Sequence, residues 1–209
     1  MIDETHWERL ASLSSDGVCR RAGAQCDRAT GRYVLPLLDR HVLVDPAGRS
    51  VSWRDARHQS ERAPGYEVAL VSVVYLIEAK EIRPAGEWVT PQSLPSGSFF
   101  FRGPHAMPTA EVERRFGHDH EAFLATGTRL GGKEVEAGDA CVQLQVLPRI
   151  AVRLVLWLGD EEFAPRVTVL FDRLVDQHLP LDALHCVARY VTSSLLRAGA
   201  QVDRGKTED

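Results

Sequence analysis

An α+β fold, a mainly antiparallel sheet packed by helices, is what this sequence predicts, from two kinds of periodicity. In the last third, Val142, Leu144 and Val146 alternate with Gln143 and Gln145, and Ile150, Val152, Leu154, Leu156 and Leu158 hold every second position, the two-residue repeat of a strand. A third run, 166–171, follows after a short turn, which favours antiparallel pairing. Elsewhere the repeat is helical, from Tyr66 to Ile82 and from Leu181 to Leu195. With 209 residues, one domain over 1–198 and a polar, frayed tail over 199–209 is the expected division.

Taken in order, Trp7, Leu10 and Leu13 recur at helical spacing until Ser14-Ser15-Asp16-Gly17 signals a turn. A short helix is expected from Val18 to Ala24. Short apolar runs between Tyr33 and Trp53, broken by Asp45-Pro46-Ala47-Gly48, predict a meander of two or three strands. Tyr66 to Ile82 is apolar on most sides, the mark of a central helix. Pro84, Gly86, Pro91, Pro95, Gly97, Gly103, Pro104 and Pro108 then crowd one span. This is a long Pro/Gly-rich loop, and Trp88 and the triplet Phe99 to Phe101 predict that it is ordered. Thr109 and Asp119 are placed to cap two short helices, Gly117 ends the first, and Leu130-Gly131-Gly132 turns the chain into the strands. Asp172, at the exit of the last strand, suits an N-cap of the closing helix.

Composition excludes several classes. A formal charge of -4 and a pI near 6.1 supply no general basic face for nucleic acid. No apolar run has the length of a membrane-spanning helix, and the start Met1-Ile2-Asp3-Glu4 lacks the regions of a signal peptide. Cys19, Cys26, Cys141 and Cys186 are scattered without a Cys-x-x-Cys pair, so reduced thiols and a cytoplasmic protein are expected. Cys141 and Cys186 fall in apolar patterns and read as packing residues.

The segment Phe99-Phe100-Phe101-Arg102-Gly103-Pro104-His105 concentrates chemistry. It sets an imidazole beside an apolar wall, which suits a ligand pocket, a catalytic corner or a tightly packed turn. His105 can ligate a metal or transfer protons, and Arg102 can pair with a ligand carboxylate. The plainer alternative has His105 bonding a backbone carbonyl and Arg102 pairing with an acid. Asp160, Glu161 and Glu162 form an acidic strand end. They can bind a hard cation or divide acid and base roles, or simply make a solvated turn in which Asp160 bonds backbone amides. His118 and His120 are spaced i, i+2, a poor chelate. No phosphate loop, dinucleotide fingerprint or nucleophile elbow is present.

Phe100-Phe101-Arg102-Gly103-Pro104-His105, Leu130-Gly131-Gly132, Gly138-Asp139-Ala140, Leu147-Pro148-Arg149, Leu156 to Phe163, Leu170-Phe171-Asp172 and His178 to Asp182 together resemble the family known as domain of unknown function 3786. The resemblance spans most of the chain. It implies kinship with proteins that carry a further cysteine-rich iron–sulfur module of the type also attached to corrinoid proteins, and hence tetrapyrrole or redox-cofactor metabolism. This chain lacks that module, and two cysteines seven apart do not make the four-thiolate set of a cluster. The leading expectation is a non-enzymatic module binding a tetrapyrrole or corrinoid-type cofactor through Phe100, Phe101, Arg102 and His105, its partner a small-molecule cofactor or a redox protein. The alternatives are a metal-assisted or acid/base enzyme using His105 with Asp160, Glu162 or Asp172, the metal set being His105, Asp160 and Glu162, and a structural subunit docking on a protein.

Overall fold

A computed structural model describes residues 2–54 and 61–205. The architecture is α+β, with two antiparallel sheets. The chain divides into two compact units, one of residues 1–85, 146–150 and 174–187, the other of 86–145, 151–173 and 188–209.

The first unit begins with α1 (Glu4–Ser12), whose N-cap Asp3 accepts the Thr5 N–H at 2.9 Å. Next comes α2 (Ser15–Ala22), ended by Gly23 at φ 64°, the left-handed conformation that glycine adopts without strain. The expected meander is a five-stranded sheet ordered β1 (Gln25–Cys26), β2 (Tyr33–Leu37), β3 (Arg40–Asp45), β4 (Ser50–Arg54), β5 (Glu61–Arg62). The two edge strands are two residues long and carry no apolar alternation, so no pattern announces them. Register pairs Tyr33 with Val44, Leu35 with Val42 and Val44 with Val51, and all five side chains are buried. Helix α3 (Tyr66–Glu78) buries Val68 and every residue from 71 to 77. It stops four residues before the expected Ile82, because Arg21 donates to the carbonyls of Ile77 (3.1 Å) and Ala79 (2.8 Å) and so satisfies the helix end.

In the second unit the sheet order is β6 (Trp88–Val89), β10 (Arg166–Asp172), β9 (Ile150–Trp157), β8 (Ala140–Leu147), β7 (Lys133–Glu134). The predicted antiparallel pairing is present: Val167 faces Leu156, Val169 faces Leu154 and Phe171 faces Val152, a ladder of buried pairs on one face. The other face carries Arg153 and Trp157, as the alternation requires. Trp157 is 48% exposed, and the Arg153 guanidinium sits 4.1 Å over the Trp88 ring. The Pro/Gly-rich stretch is a chain of short turns, 3-10 at Pro91–Ser93, α4 (Gly97–Phe100) and 3-10 at Gly103–His105. After them come α5 (Ala110–Phe116) and α6 (His120–Arg129), the latter capped by Asp119 through the Ala122 N–H.

Helix α7 (Leu181–Gly205) contributes residues 181–187 to the first unit and 188–205 to the second. Two expectations need correction here. The tail expected to fray from Gly199 is helical to Gly205; residues 206–209 lie outside those described. Gly199 is a close-approach position, since a Cβ there would lie 2.9 Å from Cζ of Phe116. Asp172 is no cap of α7 either. It belongs to β10, its carboxylate accepts the Gly86 N–H at 2.8 Å, and the helix starts nine residues later.

Candidate functional site

Local geometry forces the aromatic segment into an in-and-out arrangement. Pro91 opens a 3-10 turn, Ser96 takes a left-handed φ of 61°, and α4 starts at Gly97. Only glycine fits at 97, because a Cβ would stand 2.0 Å from the Pro91 carbonyl oxygen. The Phe101 N–H closes on the Gly97 carbonyl at 2.9 Å, and Gly103, at φ 52°, starts the turn closed by Ala106 N–H to Gly103 O at 3.0 Å. As a result Phe101 is 3% exposed and anchors the segment, while Phe99 is 82% exposed.

Phe100 is half-buried and links the two sides. Its ring meets Phe101 edge-on at 5.1 Å and stacks on the His105 imidazole at 4.5 Å with the planes 23° apart. The Arg102 guanidinium lies 5.7 Å from the Phe99 centroid. His105 and Arg102 are both exposed. Of the four predicted cofactor residues, Phe100, Arg102 and His105 therefore reach the outer surface, and Phe101 faces inward. Stacking on Phe100 occupies one face of the imidazole.

The acidic strand end is organised by its own backbone. Asp160 Oδ1 accepts the N–H groups of Phe163 (2.7 Å) and Glu162 (2.8 Å), and Asp160 N–H donates to the Phe163 carbonyl at 3.0 Å. Those two amides, Phe163 first, hold the Asp160 carboxyl below the ordinary carboxylate value. Glu161 and Glu162 are exposed and so is Phe163. Among the described residues no group of three or more His, Cys, Asp or Glu side chains is placed to hold a metal ion. His118 and His120 flank the α6 cap and are exposed.

Sequence reasoning passed over other chemistry. Tyr75 is fully buried; its hydroxyl donates to the Ala22 carbonyl (3.1 Å) and accepts the Arg149 N–H (3.0 Å). Arg149 in turn donates Nε to Arg21 O (2.5 Å) and Nη2 to Arg20 O (3.1 Å), closing the carbonyl end of α2. The Leu147-Pro148-Arg149 motif is thus the turn that caps a helix. His178, also buried, accepts the Lys80 N–H on Nδ1 at 3.2 Å, which requires that nitrogen to be unprotonated. Nothing in the periodicity marks these groups, because their partners are backbone atoms far away in sequence. Cys26 lines an open cavity of about 370 Å³ with Gln25, Asp27, Thr30, Arg32, Val34 and Leu43. A shallower groove of about 360 Å³ runs along the sheet face at Val155, Trp157, Thr168 and Leu170.

The family described as Domain of unknown function (DUF3786) matches residues 16–194. The chain belongs to this family. The match takes in the aromatic segment, the Leu147-Pro148-Arg149 turn and the acidic strand end of this DUF3786 protein. No curated protein and no solved structure matches it significantly. Among the described residues no helix is long and apolar enough to cross a membrane.

Proposed function

We propose that this DUF3786 protein is a non-enzymatic binding module that holds a flat tetrapyrrole or corrinoid-type macrocycle on the outer face of the Phe99 to His105 segment. The observation that carries the reading is the stack of His105 on Phe100 beside an exposed Phe99 and Arg102. The donor set fits such a ligand: the imidazole nitrogen suits an axial position, the guanidinium suits a propionate, and the aromatic rings suit the macrocycle's apolar face. Enclosure is what the segment does not provide, since resident cofactors bury most of their surface. An open face fits transient holding, with the ring's far side left to a partner such as a redox protein. The reading includes a cytoplasmic location, supported by four cysteines none of which is in a disulfide.

The enzyme reading draws less support, because Asp160 is engaged by turn amides and Asp172 by the Gly86 N–H. Docking of a protein on the segment is favoured by one observation, the 82% exposure of Phe99. The test is a visible-absorbance titration of the protein with haemin and with a cobalamin. A saturable band shift that His105→Ala abolishes and Phe99→Ala weakens is expected. No saturable change with either compound refutes the cofactor reading and leaves the docking one.

A further inference from the structure

We propose that Cys19 and Cys26 form a dithiol–disulfide exchange site, with Cys26 as the attacking thiol, Cys19 as the resolving thiol, and a small-molecule disulfide of the glutathione class as co-substrate. The site lies in the first unit and does not rest on the macrocycle reading.

Its geometry follows from one chain reversal. Cys19 sits in the last turns of α2, and its carbonyl accepts the N–H groups of both Gly23 and Ala24, the latter at 3.1 Å. This glycine-ended turn sends the chain straight back into β1. Cys26, the second residue of β1, pairs in register with Tyr33 and lies near enough to the Cys19 thiol to act on its ionisation. Both thiols are partly exposed. Cys26 lines the 370 Å³ cavity, whose other walls include Asp27, Arg32 and Gln25, so charges of both signs and an amide face an entering zwitterionic disulfide.

The two cysteines are not equivalent. Burial, then the charges of Cys26 and Asp16, push the Cys19 thiol above its ordinary value. Cys19 is therefore the thiol held in reserve, and Cys26, facing the cavity, is the one an incoming disulfide meets. In the first step the Cys26 thiolate attacks one sulfur of the small disulfide. A bond forms to Cys26 Sγ, the original S–S bond breaks, and one small thiolate leaves. The Cys19 thiolate then attacks Cys26 Sγ, forming the protein disulfide and releasing the second small thiolate. The protein gives up two electrons and two protons, and the small disulfide is reduced to two thiols.

The experiment treats the full-length, reduced protein with oxidised glutathione, traps remaining thiols by alkylation and maps them by mass spectrometry. In the wild type, Cys19 and Cys26 should lose alkylation together and appear in one linked peptide that dithiothreitol separates. Cys19→Ser should stop at a glutathione adduct on Cys26, and Cys26→Ser should take up glutathione at Cys19 about tenfold more slowly or not at all. Full alkylation of both residues in the treated wild type overturns the site, as does an adduct with no internal link. Faster adduct formation on Cys19 than on Cys26 overturns the assigned order. The wild-type mapping stands even if a serine variant fails to fold, which circular dichroism will show.

Discussion

Replacing Tyr75 by phenylalanine removes one oxygen from the interior of the first unit and leaves the ring in place. That oxygen serves two backbone groups, accepting the Arg149 N–H at 3.0 Å and donating to the Ala22 carbonyl at 3.1 Å. Each buried group left unmatched costs about 1–3 kcal/mol, so a combined loss of about 2–4 kcal/mol is expected near neutral pH. The loss has a definite pH dependence. Burial raises the Tyr75 phenol well above its ordinary value of 10.0, the Arg149 N–H and charge lowering it only in part. Above about pH 10 the unfolded chain releases the phenolic proton and the folded chain keeps it. The native state then binds more protons than the unfolded state, and wild-type stability falls with rising pH by about 1.4 kcal/mol per pH unit from this residue. Tyr75→Phe cannot lose that proton. Because the unfolded phenol is only half ionised at its ordinary value, the gap between wild type and variant should narrow by about 1 kcal/mol between pH 10 and 11. Urea unfolding followed by circular dichroism at about pH 7, 10 and 11 measures it. A neutral-pH loss below about 0.5 kcal/mol, or a gap that does not change with pH, refutes the placement of the hydroxyl between those two groups.

Three further outcomes are expected. Phe101→Ala should cost about 3–5 kcal/mol by opening a cavity under the segment, whereas Phe99→Ala, at 82% exposure, should stay within about 0.5 kcal/mol; equal effects in urea unfolding would contradict the in-and-out arrangement. Gly97→Ala should lower stability by about 2 kcal/mol or more, because its Cβ meets a backbone oxygen that no rotamer change can move; unchanged resistance to proteolysis at 95–105 would oppose this. Asp160→Ala should leave global unfolding nearly unchanged and speed amide exchange at Glu162 and Phe163. With the Asp160 carboxyl depressed, the turn is intact above its ordinary range and is lost as pH falls through the lowered value, so exchange that is indifferent to both the mutation and acid would count against the turn.

The two halves of the candidate chemistry were unequally legible in the sequence. The aromatic segment announces itself by composition, but which ring turns inward depends on Ser96 and Gly97 setting the phase of a single helical turn, and no periodicity can be read over four residues. The acidic strand end is visible as three consecutive acids, and its engagement by the amides of Glu162 and Phe163 follows from the tight turn. Cys19 and Cys26 read as scattered because spacing alone does not reveal a helix that ends at Gly23 and returns as β1. The sheet edges and the Tyr75–Arg149 clasp were likewise silent.

What the amino-acid order determined by itself is everything set by near neighbours: the alternation over 142–146 and 150–158, the strand over 166–171, the apolar α3 and the Asp119 cap. These rest on interactions among residues a few positions apart, and a linear pattern records them. The tertiary structure decided which groups meet across long separations: Arg149 on the carbonyls of α2, Gly199 against Phe116, and Asp172 on Gly86. Such contacts are fixed by the packing of whole elements, in which a single glycine or a buried hydroxyl selects the approach. A one-dimensional pattern has no term for that selection.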